Sequence, residues 1–440
     1  MKILLVSPHF PPRLIGGVEI YTKRIADTLR SLGDRPEVIS LERVDAEQGG
    51  VRIVTDTEYG YPVHRLHAHP DVVGRPLGMI YDSPDIQRAI ERILDASPPD
   101  VLHLHSGYLL GGDVLGAALR RRIPTVVTLH DFWFICPRVT LIHPSGRLCT
   151  GPDTPEKCAW CLSTEQRRYR VPDGLTGGLF GRAMVTALSS QSVAALMGKG
   201  NSIQSLAARR ETLIDRLSRA DVILSPSHFL LDEVVRAGFP RGRILVSRYG
   251  IDAQPVKRRE RKTADLRVGY LGQIAPHKGV HLLIEAARHL SSAPIAVRIY
   301  GDPAPHPLYT KRLRRLAHGD ARIAFQGPYQ HGGVYDILAD LDVIVVPSVW
   351  YENAPFVIQE AQAAGVPVLA SRLGGMRELV SDGQNGLLFD AGNARDLAER
   401  LQRILDDPAL LERLRPRADI VRTAEHEIRE LRDHYRRLLG

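Results

Sequence analysis

Short apolar runs alternate with stretches of helical periodicity along most of the chain. Met1 to Val6 is predicted to form a buried strand, and a helix is predicted after it because apolar residues from Val18 to Leu32 recur at helical spacing. Strands that alternate with helices indicate a parallel sheet covered on both faces. Three later apolar runs predict further strands of this sheet: 101–105, 123–129 and 222–224.

The same alternation starts again after a charged, polar segment, Lys257 to Asp265, which is predicted to be a linker. A strand over Leu266–Leu271 is followed by a loop and by a helix over Val280–Leu290. The chain is therefore predicted to be an α/β protein with two doubly wound domains. Four more strands complete the second series: 295–300, 323–325, 343–346 and 366–371.

Residues 132–219 fit this alternation poorly. They contain all four cysteines and then helical periodicity over 183–197 and 203–217, and we interpret them as an insertion in the first domain. A helix is also expected at the C-terminal end of the sequence, and packing back on the first domain is one arrangement open to it. The expected domains are a first doubly wound domain over 1–255, a second over 256–415, and that helix over 416–440.

A short internal repeat supports a duplicated fold. Ala220–Ser227 resembles Leu341–Ser348, and the aspartate, proline and serine of the two segments match at a constant offset of 121 residues. Each copy lies late in its own series of strands and helices.

Composition places the chain among globular proteins, with 44% hydrophobic and 25% charged residues in a length of 440. No apolar run approaches the roughly 18 residues that span a bilayer, and the first is too short for a signal peptide, so a cytoplasmic protein is expected. The net charge of +8 is spread over both halves, which argues against a dedicated nucleic-acid surface. Because a basic surface attracts anionic lipids, peripheral contact with the inner face of a membrane stays open as an alternative.

The segment from Pro347 to Glu360 carries the clearest chemical signal. A strand ends at its start, and a helix is expected to begin near Pro355, which suits the first helical position. The backbone amides of Phe356 and Val357 would then point out of the carboxyl edge of the sheet. A helix N-terminus in that place is an anion site, and phosphate is its usual occupant.

Two carboxylates flank this helix start. Glu352 lies in the loop before the helix and Glu360 lies more than one turn inside it, so they cannot share one position. One could meet a sugar and the other a ribose. The alternative is a capped surface helix with two solvated glutamates.

Two other loops follow strands of the same domain and face the same crevice. Gly272–Gly279 contains Lys278, whose ammonium could meet a diphosphate, although a surface lysine in a turn is the alternative. Gly374 and Gly375 open a helix after another strand and either offer unblocked backbone amides or form a tight turn. No G-x-G-x-x-G and no Walker loop occurs, which weakens dehydrogenase and ATPase interpretations.

This ordered set of loops resembles the family 4 glycosyltransferases of the two-Rossmann-domain type, over nearly the whole chain apart from the insertion. The resemblance implies the GT-B fold, in which two Rossmann-like domains face each other across a cleft. It implies that the domain over 1–255 is the acceptor-side domain and that the domain over 256–415 binds the nucleotide sugar. It also implies a retaining transfer of a sugar from a nucleotide sugar, with no metal ion required. The motifs that carry it are Pro347-Ser348, Glu352-x7-Glu360 and Gly374-Gly375-x-x-Glu378.

The resemblance assigns roles to residues of the second domain. Glu360 would bind the ribose hydroxyls, and Glu352 would bind the donor sugar. The amides of Phe356 and Val357 would hold the diphosphate, and Lys278 would neutralise it as it leaves.

The resemblance also concerns four other places in the chain. Gln273 stands where the family usually has an arginine, which removes one cation from the site. Gly16 and Gly17 would close over the donor phosphates beside the acceptor. His130 would hydrogen-bond the donor sugar rather than relay a proton, and a histidine packed against backbone is the alternative. The loop Gly327–Gln330 would approach the nucleobase.

All cysteines of the chain lie together in the insertion: Cys136, Cys149, Cys158 and Cys161. The last two have the C-x-x-C spacing of zinc ribbons and iron–sulfur proteins. In a cytosolic chain such a cluster favours a metal over disulfides. Structural zinc is the first expectation, followed by an iron–sulfur cluster, disulfides and unligated thiols. No cofactor is expected for catalysis.

The leading hypothesis is a hexosyltransferase-like enzyme that uses a nucleotide-sugar donor and a glycan, lipid-linked or small-molecule acceptor. A GT-B-fold epimerase or phosphorylase shares the fold, but no pyridoxal-phosphate lysine site is identified. A non-catalytic nucleotide-sugar binder or scaffold is the alternative of another class, and Gln273 leaves room for it. Nucleic acid is not an expected partner. The insertion helices could touch a membrane, although packing on the sheet is the expected role.

Overall fold

The chain forms two compact units, each an α/β domain built on one mostly parallel sheet. The first unit comprises residues 1–247 and 428–440, and the second comprises residues 248–427. The predicted fold class, with two parallel-sheet α/β domains, is confirmed. Residues 261 and 262 of the predicted linker lie outside the described residues. The computed structural model describes residues 1–12, 16–43, 50–68, 81–254, 256–260, 263–417 and 421–440.

The sheet of the first unit has a predominantly parallel arrangement. Its strands are β1 (Lys2–Val6), β2 (Arg35–Arg43), β3 (Val51–Asp56), β4 (Val63–Ala68), β5 (Val101–His105), β6 (Thr125–Thr128), β7 (Val222–Ser225) and β8 (Ile244–Val246). They pair in the order β3-β4-β2-β1-β5-β6-β7-β8, and β3 is antiparallel to β4. Strands β5 and β6 are buried at every position, as expected where helices cover both faces.

Helices of the first unit cover this sheet and fill the segment between β6 and β7. They are α1 (Gly17–Ser31), α2 (Pro84–Ala96), α3 (Gly111–Arg120), α4 (Pro155–Ser163), α5 (Arg167–Leu175), α6 (Leu179–Leu188), α7 (Gln191–Leu196), α8 (Gly200–Ser218) and α9 (His228–Arg236). Helices α4 to α8 belong to the cysteine-containing segment. A separate apolar cluster around Trp160, Leu188 and Ala194 holds part of that segment together.

The sheet of the second unit is entirely parallel within the described residues. Its strands are β9 (Leu266–Leu271), β10 (Ile295–Tyr300), β11 (Ile323–Gly327), β12 (Val343–Val346), β13 (Val368–Ser371) and β14 (Gly386–Phe389). The strands are arranged in the order β11-β10-β9-β12-β13-β14. Successive strands are therefore added on one side of β9 up to β11 and on its other side from β12 onward. Doubly wound sheets open a ligand crevice at such a switch point, beyond the carboxyl ends of the strands. The loops after β9 and β12 therefore border this crevice.

Helices cover both faces of the second sheet, and an apolar cluster fills each side. They are α10 (Val280–His289), α11 (Pro307–Ala317), α12 (Val334–Ala339), α13 (Phe356–Ala363), α14 (Met376–Leu379), α15 (Ala394–Asp406) and α16 (Pro408–Arg413). The last helix of the chain is α17 (Ala424–Leu439). From Ile428 onward, α17 belongs to the first unit. Among the described helices of the whole chain, none combines the length and apolar character needed to cross a bilayer.

The internal repeat has a structural counterpart in two aspartates that precede strands. Asp221, before β7, accepts a hydrogen bond of 2.7 Å from the backbone N–H of Thr125 in the neighbouring strand β6. Asp342, before β12, accepts one of 2.9 Å from the backbone N–H of Arg267 in the neighbouring strand β9. Each carboxylate joins the amino ends of two adjacent parallel strands, which explains why the aspartate occurs at the same place in both sheets.

The last residues of the sequence complete the core of the first unit. Tyr435 is fully buried, and its hydroxyl lies 2.6 Å from Nδ1 of His103 on β5. The other ring nitrogen of His103 lies 2.7 Å from the hydroxyl of Thr128 on β6. Arg432 pairs with the buried Asp34 at 2.8 Å. Residues 428–440 are thus held to the sheet by a buried hydrogen bond as well as by apolar packing.

Removing the hydroxyl of Tyr435 tests this connection. Tyr435→Phe is expected to destabilise the first unit by about 1–3 kcal/mol, because Nδ1 of the buried His103 loses its partner. Urea unfolding followed by circular dichroism measures the shift. Tyr108→Phe is the control, since no described residue hydrogen-bonds that hydroxyl and a change below about 0.5 kcal/mol is expected. Equal midpoints for both variants would contradict the assignment.

Candidate functional site

The loops after β9 and β12 are joined at the switch point of the second sheet. The backbone N–H of Val349 donates a hydrogen bond of 2.9 Å to the carbonyl of His277. Gly279 has a φ of +70°, and a Cβ at this position would lie 1.9 Å from the carbonyl oxygen of Pro347. Only glycine permits this approach, which places the preceding Lys278 against the loop after β12.

Lys278 and Glu352 form a largely buried ion pair, with 2.7 Å between Nζ and Oε1. The same oxygen accepts hydrogen bonds from the hydroxyl of Ser348 at 2.8 Å and from the indole of Trp350 at 2.7 Å. Burial raises the pKa of the Glu352 carboxyl, but the Lys278 ammonium and these two donors together hold it below its ordinary value. Glu352 is therefore ionised at neutral pH.

This ion pair retains hydrogen-bonding capacity on both partners. Oε2 of Glu352 has no hydrogen-bond partner within the part of the chain that the structure describes. The Lys278 ammonium has three N–H groups, and among the described residues it donates to Glu352 alone. Its side chain is 22% exposed and lies over the ring of Trp350, 5.0 Å from the centroid. The site thus offers a fixed acceptor and a fixed donor side by side.

The glycine pair after β13 packs against the same loop. The backbone N–H of Gly375 donates a hydrogen bond of 2.7 Å to the carbonyl of Glu352. A Cβ on Gly375 would lie 1.7 Å from the carbonyl oxygen of Asn353, and one on Gly374 would lie 2.7 Å from that of Glu352. Both glycines are required for this close contact, so the tight-turn interpretation of the pair has a direct structural basis.

Helix α13 presents its first turn at the carboxyl edge of the sheet. It begins at Phe356, one residue after the predicted start at Pro355. Pro355 occupies the N-cap position. The ring of Phe356 stacks on Tyr249 with 5.0 Å between centroids. Phe356 and Val357 are partly exposed. N–H groups in a first helical turn have no intrahelical partner, so this end of α13 is suited to an anion.

Glu360 lies buried farther along α13, near the loop that follows β11. Burial, together with the charge of Glu360, raises the pKa of Tyr329 to about 12. The ring of Tyr329 also contacts Tyr300 at the end of β10, with 6.4 Å between centroids. The residue predicted to bind ribose and the loop predicted to approach the base, Gly327–Gln330, are therefore close enough to interact.

Gln273 lies in the loop after β9, a few residues before Lys278. It is exposed, and its backbone carbonyl accepts a hydrogen bond of 2.6 Å from the hydroxyl of Tyr270. No described residue hydrogen-bonds its side-chain amide. The position that the resemblance assigns to a cation thus carries an uncharged side chain exposed at the surface.

His130 follows β6 in the first unit and belongs to a group of packed aromatic rings. Its Nε2 lies 3.4 Å from Nδ1 of His105, and its ring lies 4.9 Å from that of Tyr21 on α1. Burial lowers the pKa of His130 to about 3, so the imidazole is neutral at pH 7. A neutral ring suits a hydrogen bond to a hydroxyl better than general acid catalysis. The adjacent Asp131 is held by the hydroxyl of Ser106 at 2.6 Å.

Gly16 and Gly17 open α1 next to this group. The backbone N–H of Gly16 donates to the Glu19 carboxylate at 2.9 Å, and a Cβ on Gly16 would lie 2.8 Å from the same oxygen. Residues 13–15 lie outside the described residues. Tyr21, in the second turn of α1, contacts His130, so the predicted residues of the first unit gather at one edge of its sheet.

The sequence does not predict a role for two residues of the site. Ser348 and Trp350 donate hydrogen bonds that, together with Lys278, keep Glu352 ionised. Their position within four residues of Glu352 was the available signal. Periodicity could not reveal that their side chains turn back toward this carboxylate.

The four cysteines line one small cavity of about 30 Å³ in the first unit. All four are free thiols, and Cys158 and Cys161 share a face of α4 because they are three residues apart. The described residues contain no group of three or more His, Cys, Asp or Glu side chains that could hold a metal ion as they stand. The thiol of Cys149 instead donates to the carbonyl of Gly151 at 3.4 Å. A metal here therefore stays a prediction and requires the thiols to turn toward the cavity.

A buried cation beside the cysteines bears on this prediction. Arg209 is 5% exposed, and burial lowers the pKa of its guanidinium to about 10, while Cys136 and Cys158 act in the opposite direction. Among the described residues no carboxylate pairs with Arg209, which contacts the carbonyl and ring of Trp133. Metal-bound thiolates would supply the missing negative charge, and the cavity has the volume of about one water molecule, which suits a single ion.

Metal analysis of the purified protein tests the prediction. About one zinc ion per chain is expected, and Cys158→Ser is expected to lose it because three thiolates bind zinc less tightly than four. Leu162→Ala is the matched control, since Leu162 lines the same cavity without a ligand atom and the metal should remain. The absence of both zinc and iron from anaerobically prepared protein would contradict the prediction.

Two family models match the chain, one in each unit. "Glycosyltransferase Family 4" matches residues 15–153, and "Glycosyl transferases group 1" matches residues 253–420. Among relatives, glycogen synthase of Mycobacterium tuberculosis is 25% identical over 433 residues, which cover 94% of this chain and 88% of the relative.

Solved structures agree on the fold over the whole chain. Sucrose-phosphate synthase from Thermosynechococcus elongatus has a TM-score of 0.69 at 21% identity, covering 99% of this chain and 98% of that one. Anabaena HepE in complex with UDP and glucose has a TM-score of 0.66 at 18% identity, covering 99% and 100%. At these identities the likeness concerns the fold, which is GT-B. With both family models matched in their expected units, the chain belongs to the family 4 glycosyltransferases.

Proposed function

We propose that this glycosyltransferase moves a sugar from a nucleoside-diphosphate sugar to a hydroxyl group of its acceptor. We further propose that the anomeric configuration is retained and that the catalytic step needs no metal ion. The observation that carries the proposal is the Lys278–Glu352 ion pair at the switch point of the second sheet, in the loops that lead to α10 and α13. UDP and glucose in the complex of Anabaena HepE support this class of donor.

The site supplies positive charge for a departing diphosphate. Lys278 is fixed by Glu352 and keeps N–H groups for a further acceptor. The amino end of α13 adds the partial positive charge and the first-turn amides of Phe356 and Val357. Fixed donors of this kind stabilise charge as it develops, without reorganisation. A site that provides its own cation and amides does not require a divalent ion for this task.

Glu352 is proposed to position both the lysine and the sugar. Its Oε1 is occupied by Lys278, Ser348 and Trp350, whereas Oε2 can accept a hydrogen bond from a sugar hydroxyl. Because its pKa is held low, the carboxylate does not exchange a proton near neutral pH. We therefore assign Glu352 neither acid–base nor nucleophilic chemistry.

The proposed reaction proceeds on one face of the sugar. The bond between the anomeric carbon and the diphosphate oxygen breaks, and a bond from the same carbon to the acceptor oxygen forms. The acceptor proton passes to the leaving phosphate, so no side chain has to act as a base. His130 fits this scheme as a neutral hydrogen-bond partner for the donor sugar.

The nucleoside is proposed to lie farther along the same edge. Glu360 would accept hydrogen bonds from the ribose hydroxyls, and Gly327–Gln330 would border the base. The electrostatic interaction between Glu360 and Tyr329 supports this placement, because it brings the two candidates together. A thermal-shift screen of UDP-, GDP- and ADP-sugars identifies the donor, since a bound ligand raises apparent stability.

Kinetics of charge-neutral variants test the ion pair with the donor so identified. Lys278→Met is expected to lower kcat/KM by at least about a hundredfold, the usual effect of losing one fixed charge at a reacting group. This variant leaves Glu352 as a buried charge without its cation, which could destabilise the protein. The double variant Lys278→Met with Glu352→Gln is therefore decisive. It removes both charges, should fold, and should remain inactive.

The control pair lies at the opposite edge of the same sheet. Arg322 and Asp320 form an ion pair of 2.6 Å just before β11, and Arg322→Met with Asp320→Asn should keep its turnover. Turnover at the normal rate by the Lys278 and Glu352 double variant would show that the pair is structural and would overturn the site.

The stereochemistry and the metal requirement are tested on the product. Proton NMR is expected to show the same anomeric configuration in product and donor, and activity is expected to persist in EDTA. Inversion would overturn the same-face mechanism. Loss of activity in EDTA that Mg²⁺ or Mn²⁺ restores would overturn metal independence. The melting temperature with and without EDTA serves as a control for metal bound at the cysteines.

A further inference from the structure

Large apolar side chains are exposed in one part of the first unit. Nine are exposed among the residues that the structure describes, and five of them fall between residues 171 and 196. Leu175 is 83% exposed, Leu179 67% and Leu196 89%. Apolar side chains exposed singly are ordinary, but a group within 26 residues indicates an interaction surface. We call these five the apolar patch: Val171, Leu175, Leu179, Phe180 and Leu196.

The packing of these helices against the rest of the unit does not explain why the apolar patch is exposed. Val171 and Leu175 are four residues apart on α5 and share a face, and Leu179 begins α6 directly after the turn at Gly177 and Gly178. The inward positions of the same helices already fill the cluster around Trp160. The expectation that these helices pack on the sheet therefore does not account for their exposed side chains.

The charged residues around the apolar patch are mostly basic. Residues 166–199 carry five Lys and Arg against one acidic residue, a net +4 of the +8 of the chain. That acidic residue, Asp173, is buried and paired with Arg147. Arg168 and Lys199 both lie over the ring of Tyr169, at 4.7 and 5.5 Å, so the turn between α7 and α8 lies beside α5. The exposed arginines of the segment are Arg167, Arg168, Arg170 and Arg182.

We propose that the surface of α5, α6 and α7 docks on an anionic lipid bilayer. The apolar patch enters the headgroup region, and the arginines meet lipid phosphates. Short helices that combine exposed Leu and Phe with Arg and Lys lie in such interfaces, and each basic residue near the surface adds electrostatic attraction. A second copy of this chain fits less well, because a basic surface repels its own equivalent.

A cavity beside the apolar patch favours lipid over a flat protein partner. It has a volume of about 470 Å³ and is lined by Arg147, Arg182, Asp173 and Trp160. Asp173 Oδ1 and Trp160 Nε1 are buried without a hydrogen-bond partner among the described residues. A Cβ on Gly181 would lie 2.2 and 2.8 Å from these two atoms, so both converge there. Among the residues that line this cavity, the exposed Arg182 could meet the phosphate of a lipid headgroup.

Vesicle binding tests the proposal without donor or acceptor, so its result is independent of the proposed reaction. The full chain is sedimented with vesicles of phosphatidylcholine alone or mixed with phosphatidylglycerol. Binding is expected on the mixed vesicles and should weaken with added salt. Leu175→Asp with Leu179→Asp should reduce binding by about tenfold or more, because two buried apolar contacts are lost. A triple variant should remove the preference for anionic vesicles; it combines Arg167→Gln, Arg168→Gln and Arg170→Gln.

Leu308→Asp is the matched control. Leu308 is 85% exposed on α11 of the second unit and has Lys311 and Arg312 close by in sequence, so the same substitution outside the apolar patch should leave binding unchanged. No binding to mixed vesicles, or equal binding by the Leu175 and Leu179 variant, would overturn the proposal. Self-association that disappears in that variant would assign the surface to a second copy and would also overturn it.

Discussion

A buried contact between an ammonium and a carboxylate joins two loops that leave adjacent parallel strands. Lys278 and Glu352 are 74 residues apart, and each would be costly to bury alone. The pair is stable because Ser348 and Trp350 complete the coordination of one carboxylate oxygen. A third loop depends on the same place, since Gly375 is bonded to the backbone of Glu352. The ion pair and the backbone contacts between the three loops therefore hold this edge of the sheet together.

The candidate residues of the two units differ in charge. Lys278 and Glu352 of the second unit form an ion pair, whereas the buried histidines beside His130 in the first unit are uncharged. Burial lowers the pKa of His103 and of His130 to about 3. A neutral imidazole can donate with one nitrogen and accept with the other, as His103 does between Tyr435 and Thr128. These histidines thus provide hydrogen bonds without adding charge.

Sequence periodicity predicts strands best where both faces are buried. Leu266–Leu271 and Val343–Val346 are predicted at their observed bounds, because the second is a continuous apolar run and the first is interrupted by a charged residue only at Arg267. Arg35–Arg43 is not predicted, since it contains a proline and mixes charged with apolar residues. At the site, Lys278 and Glu352 are identified from separate loops as ligands for different parts of a donor. Their pairing with each other depends on how those loops fold together, and no local pattern records that.

The first unit is discontinuous in the chain, because residues 428–440 follow the whole of the second unit. During translation, residues 248–427 are synthesised before Tyr435 exists to cover His103. Domains tend to fold as units while synthesis proceeds, so the second unit can be complete while the first still exposes part of its apolar interior. The nascent chain therefore passes through a stage in which the sheet of its first unit lacks the helix that covers His103.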